Sequence, residues 1–139
     1  MRAITEGLAD VRGPLLPVLH EVVEAHGYVD DDDIPVIADV LNLSRADVLG
    51  VVSFYQDFRR TPPPAHRVSL CRGEACQARG AEATYAAASG RWSLHEDVEV
   101  AEVFCLGNCA LGPAGVVDGD LHAGLTPERL GELTGGWAR

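Results

Sequence analysis

The chain contains no lysine, and its eleven basic residues, all arginine, face 21 acids for a net charge of −10. Affinity for nucleic acid rests on neutralising phosphates with basic side chains, so a DNA- or RNA-binding role is disfavoured from the start. The use of arginine alone reads as a compositional bias of a GC-rich genome rather than as chemistry. No apolar run approaches the ~18–20 residues that span a bilayer, so direct membrane insertion is not expected. The first residues, "MRAITEGLADVRGPLLPVLHE", place acids before the apolar segment and offer no small-residue cleavage site, so no signal peptide is expected. Neither a G-x-G-x-x-G turn nor a P-loop is present, which removes the recognised nucleotide-binding loops. There is no C-x-x-C redox pair either.

What remains is a chain of 139 residues with 47% hydrophobic content, enough for a buried core in one domain or two small ones. Residues 1–65 carry five arginines and eleven acids, and residues 66–139 carry six and ten. Charge of one sign spread so evenly reads as a solvated surface. The clearest boundary is "RRTPPPAHR", where Pro62, Pro63 and Pro64 favour a stiff, extended connector. It divides the chain into a helical domain over 1–63 and a second domain over 64–139.

The first part is helical by pattern. Leu15, Val18, Leu19 and Val22 share one face, and Gly27 is positioned as a stop. "DDDIPVIADVLN" predicts a second helix with Asp33 as N-cap and Ile34, Ile37, Ala38 and Leu41 inward. "SRAD" then predicts a capping box from Ser44 and Asp47. The run Asp30–Asp33 is read as helix-terminus charge rather than as a metal site. In the second part "RVSL" and "DVEVAEVF" read as strands, each leading into a cysteine. "ACQARGAEATYAAAS" reads as one helix weakened at Gly80. "AGVVDGDLH" reads as a hairpin turning at Asp118-Gly119, and "TPERLGELTGGW" as a closing helix capped by Thr126. The expected class is α+β: an N-terminal helical bundle, then a small α/β domain with a mixed sheet.

Four cysteines carry the chemistry. Cys71 and Cys76 stand in C-x4-C spacing within "SLCRGEACQARG", and Cys105 and Cys109 in C-x3-C spacing within "VFCLGNCALGP". In a reducing compartment such thiols are ligands or reactive groups rather than a disulfide framework, and a cytoplasmic location is expected. Two adjacent strand ends would bring both pairs to one edge of a sheet. Soft thiolates suit zinc or an iron–sulfur cluster. Structural zinc favours short C-x2-C hooks, whereas a [2Fe–2S] cluster accepts two thiolates on each iron at wider, unequal spacing. The spacing therefore favours iron–sulfur, with zinc and free or oxidised thiols left open. Gly107 and Gly112 beside the second pair are read as allowing close backbone approach to sulfur, and Gly115 as an ordinary turn glycine. The histidines (20, 26, 66, 95 and 122) lie at no suitable spacing for a two-histidine centre. A cluster with no flavin, nicotinamide or substrate site of its own would be a relay that needs a partner.

With these motifs in place the chain resembles the thioredoxin-like [2Fe–2S] subunits of NADH-linked oxidoreductases. "GYVDDDDIPVIADVLNLSRADVLGVVSFYQDFR" is similar to that family's helical domain, and the two cysteine motifs to its cluster domain. "CRGEACQARGA", "CLGNCALGPA" and "DGDLHAGLTPERL" look like the gamma-subunit branch of NAD-dependent formate dehydrogenases. The complex I (NADH–quinone oxidoreductase) subunit and the NAD-reducing hydrogenases are the alternatives. The resemblance implies a thioredoxin-like fold over 64–139 and one [2Fe–2S] cluster ligated by Cys71, Cys76, Cys105 and Cys109. It implies a partner subunit that carries FMN and binds NAD, and, indirectly, a formate dehydrogenase catalytic subunit. It also implies that this chain has no active site of its own.

Two rival readings belong to other classes. "IADVLNLSRADVLGVVSFY" also looks like a helix-turn-helix, which with a cluster behind it would make a redox-sensing regulator. The second helix, however, offers few groups to read bases or phosphates. A zinc-stapled assembly module without redox function is the other.

Overall fold

The computed structural model describes residues 1–137, which form two compact units, Met1–Pro63 and the remainder from Pro64. The first unit is all helix: α1 (Arg2–Leu8), α2 (Leu15–His26), α3 (Asp33–Leu41) and α4 (Arg45–Phe54). Its core is the apolar stripe of each helix turned inward: Val18, Leu19 and Val22 from α2, Ile34, Ile37 and Ala38 from α3, Val48 and Val52 from α4. Val29 and Phe58 complete it, while Met1, Ile4 and Leu8 pack against it from the α1 side. Helix α1 has no counterpart in the sequence reading. It is only seven residues long, and its one buried residue is the polar Thr5, so it leaves little periodic signal.

Helix ends follow local chemistry. Gly27 closes α2 in the left-handed region at φ 84°, with its N–H on the Val23 carbonyl at 2.7 Å. Ser44 and Asp47 form the full capping box at α4: the Asp47 N–H donates to Ser44 Oγ at 3.0 Å, and the Ser44 N–H to Asp47 Oδ2 at 3.3 Å. The N-cap of α3 is Asp32, not Asp33 as the pattern suggested. Asp33 is already helical because its side chain accepts the Asp30 N–H at 3.0 Å, which winds the acidic run into the first turn.

The second unit contains β1 (His66–Cys71), α5 (Glu74–Gln77), α6 (Ala81–Trp92), β2 (Val98–Val103), β3 (Gly115–Val117), β4 (Asp120–His122) and α7 (Pro127–Leu133). The sheet order is β2-β1-β3-β4, with β1 parallel to β2 and the other pairings antiparallel. The α+β class and the mixed sheet are as expected. Val68 and Leu70 of β1 bury against Ala88 and Trp92 of α6, Leu130 of α7 and Trp137. The single helix expected over 75–89 is two: Gly80 sits at φ 93° and separates α5 from α6. That dihedral is cheap only for glycine, so the weak point became a break.

Gly115 is not the turn glycine expected. It opens β3, and a Cβ there would lie 2.6 Å from Leu125 Cδ2 and 3.1 Å from the Ser69 carbonyl oxygen. Asp118 and Gly119, at φ 47° and 92°, make the tight hairpin between β3 and β4, and Thr126 caps α7 through the Arg129 N–H.

Candidate metal centre

Parallel pairing of β1 with β2 decides where the cysteines go. The register runs from His66↔Val98 to Cys71↔Val103, so both strands end at the same edge. Cys71 is the last residue of β1, and Cys76 lies one loop later within α5. Cys105 follows β2 by two residues, and Cys109 opens a single 3-10 turn, Cys109–Leu111. All four thiols are free. The first pair is buried, each cysteine 2% exposed, whereas the second pair faces solvent.

The two loops are tied through backbone as well as sulfur. The Cys71 N–H donates to the Ala114 carbonyl at 3.0 Å, and the Arg72 N–H to the Val103 carbonyl at 2.8 Å. Burial alone would push the Cys71 thiol up, but the N–H groups of Gly73, Cys105 and Leu106 and the Cys76 thiol hold it below the usual thiol range. Two of those amides belong to the loop of the second pair. Burial pushes the Cys76 thiol up, and the Cys71 sulfur adds to this against the Ala114 N–H. Cys105 and Cys109 approach to 3.6 Å between sulfurs, and that contact, with its charge, raises the Cys109 thiol. The Gly107 N–H points at Cys105 Sγ from 3.4 Å.

Cys105 itself holds a positive φ of 79°, uncommon for a residue with a side chain. Gly112, expected to serve the second pair, instead abuts the first: a Cβ there would lie 3.0 Å from Cys76 Sγ. Gly73 leaves only 3.6 Å between such an atom and Cys71 Sγ. The donor set suits a group that wants sulfur and nothing else. Four thiols in two pairs, fed by backbone N–H donors, match the two-thiolates-per-iron demand of a [2Fe–2S] cluster. Among the described residues no group of three or more His, Cys, Asp or Glu side chains, the four cysteines included, is drawn together tightly enough to hold one metal ion. Two of the histidines are engaged elsewhere: His66 bonds Asp118 at 2.8 Å and stacks on Trp137, and His20 packs edge-on against Phe58.

Sequence reasoning missed a cluster of side chains beside Cys71. The Arg72 guanidinium bonds Glu82 twice, at 2.9 and 2.8 Å, and Glu102 at 2.6 Å, over the face of Tyr85. Glu82 and then Glu102 hold its proton more firmly than in a free arginine, and Arg72 in turn holds Glu82 below the usual carboxylate range. No local spacing signals these contacts, since the partners lie 10 and 30 residues away.

Known proteins are similar to the chain in sequence and in fold. The model of the thioredoxin-like [2Fe-2S] ferredoxin family matches residues 1–137. A subunit of the NADH-quinone oxidoreductase of Escherichia coli (strain K12) is 34% identical over 131 residues, covering 89% of this chain and 79% of that protein. The HndA subunit of the NADP-reducing hydrogenase of Solidesulfovibrio fructosivorans is 30% identical over 141 residues, covering 92% and 79%. In fold, the chain is similar to a chain of an NAD+-reducing [NiFe]-hydrogenase in its air-oxidized state, with a TM-score of 0.72 at 20% identity. That likeness covers 86% of this chain and 22% of the hydrogenase chain. The protein therefore belongs to the thioredoxin-like [2Fe-2S] ferredoxin family, and its cofactor is one [2Fe–2S] cluster.

Proposed function

We propose that this chain is the [2Fe–2S] electron-transfer subunit of an NAD-linked oxidoreductase, with Cys71, Cys76, Cys105 and Cys109 as its ligands. The observation that carries the reading is the meeting of two cysteine pairs at one sheet edge, one pair buried and one exposed. When bound there, a [2Fe–2S] cluster supplies one-electron exchange. The buried pair anchors it in the fold, and the exposed pair leaves one side of the site open to a redox partner. Phe104, next to Cys105 in the chain, and Leu111, at the end of the turn that Cys109 opens, are 68% and 60% exposed and suit a protein contact.

The partner in this reading is a flavin-bearing, NAD-binding subunit. The finer assignment is a cytoplasmic NAD-dependent formate dehydrogenase, supported by the resemblance of "CRGEACQARGA" and "CLGNCALGPA" to that branch. Formate chemistry would then belong to a separate catalytic subunit. A second reading, a subunit of an NADH–quinone oxidoreductase or of a hydrogenase, is favoured by the two curated relatives above. The regulator reading loses support because the family match runs through the helical unit as well.

Anaerobically prepared chain should be red-brown, hold about two irons and two sulfides, and give an EPR signal on reduction. A colourless anaerobic preparation with stoichiometric zinc would overturn the cluster reading. Purification of the native assembly separates the branches. A formate dehydrogenase catalytic subunit supports the first assignment, and quinone-reducing membrane subunits or a nickel-containing pair support the second.

A further inference from the structure

We propose that Arg72 is a positioning residue for the cluster: its guanidinium fork holds the two cysteine loops in register at the sheet edge. The inference rests on the cluster reading above. Arg72 stands immediately after Cys71, one residue beyond the last rung of the β1–β2 ladder, Cys71↔Val103. Twisted strands splay beyond their final rung, so something must keep the loops that leave them together. Every polar part of Arg72 is used for this. Its N–H bonds Val103 on β2 at 2.8 Å, and its carbonyl accepts Gln77 Nε2 of α5 at 2.7 Å. Its Nη1 reaches Glu102, three residues before Cys105, and its Nε and Nη2 grip Glu82 in the first turn of α6. The ring of Tyr85 supports the guanidinium plane 4.3 Å from its centroid.

One residue thus joins β1, β2, α5 and α6 at the point where both cysteine loops begin. A planar fork with several fixed donors can make this set of bonds, and a lysine ammonium cannot. The charges point the same way. One guanidinium faces two carboxylates, so its loss would leave Glu82 and Glu102 repelling each other beside the site.

The test uses the full chain, loaded with its cluster, as wild type and as Arg72→Lys, Arg72→Gln and Glu102→Gln. Iron release to a chelator, the EPR spectrum of the reduced state, and far-UV circular dichroism are read on each. Both arginine variants should release iron about fivefold faster than wild type, the scale of one exposed but well-formed ion pair. Their reduced EPR spectra should be broadened or shifted while the dichroism is unchanged, and Glu102→Gln should fall between. An Arg72→Lys chain indistinguishable from wild type, beside an impaired Arg72→Gln, would make charge rather than the fork responsible and overturn the proposal. Three variants that all match wild type would overturn it as well. If the arginine variants do not fold, Glu102→Gln carries the test, since it takes the charge from one of the two carboxylates that grip the guanidinium and touches neither apolar core. Failure of the wild-type chain to hold two irons and two sulfides would instead strike the cluster reading itself, before any substitution is compared.

Discussion

A methyl group at Gly112 would press on Cys76, because the atom it would add falls 3.0 Å from Cys76 Sγ and 3.4 Å from the Cys109 carbonyl oxygen, so the sulfur would have to give way. Gly112→Ala should therefore displace a proposed ligand rather than simply soften a loop. Its expected signature is lowered iron content in a chain whose dichroism is unchanged, and full iron loading would refute it. The proposed ligands are tested separately. Cys71→Ser, Cys76→Ser, Cys105→Ser and Cys109→Ser should each lower iron and sulfide, because each leaves one iron short of a thiolate. Replacing His66, His95 or His122 should leave iron content unchanged. A histidine substitution that removed iron while a cysteine substitution spared it would show the ligand set to be wrong.

At the scale of elements, stability is set by a few local devices whose loss has calculable cost. Ser44→Ala removes one half of the capping box of α4 and should lower the stability of the helical unit by about 1 kcal/mol. Gly115→Ala should cost about 1–3 kcal/mol, since strand β3 cannot retreat from Leu125 without breaking its pairing with β1. Denaturant midpoints on the cluster-free chain, with unchanged slopes, would measure both. A Gly115→Ala chain as stable as wild type would mean that the β3–Leu125 contact is looser than described.

For the whole molecule, charge and division of labour make the predictions. Each unit has its own apolar core, and the chain carries a net charge of −10. Reducing a cluster held by the four proposed thiolates would add negative charge to an already acidic protein. Its midpoint should therefore lie nearer the ~−400 mV of plant-type ferredoxins than the values of Rieske centres, by anaerobic titration followed by EPR. In the proposed reading the flavin and the NAD site lie on a partner subunit, so the isolated chain should show no NADH or formate oxidation. Substantial turnover by the pure chain would overturn the relay reading.

Much of the second unit was legible because its signals are local. An Asp-Gly turn, a Thr-Pro helix start and alternating strands each announce themselves within a few residues, and so did the Ser44–Asp47 box. The four cysteines stood out for the same reason, as two motifs of unusual spacing. Local pattern failed where one residue had to choose between equivalent readings. Gly80 reads as a weak point but is a break, because its backbone turns to a positive φ that composition does not announce. Gly115 reads as a turn but is a strand position packed against Leu125 and Leu70, which only distant neighbours decide. The short helix α1 escaped because its buried residue is polar. What tertiary structure alone decided is the convergence. Parallel pairing of β1 and β2 brings together loops whose cysteines are up to 38 residues apart in number, and no periodicity encodes that register. The Arg72 knot follows from the same pairing: Glu102 becomes its neighbour only once the strands lie side by side, and Glu82 only once α6 begins beside them.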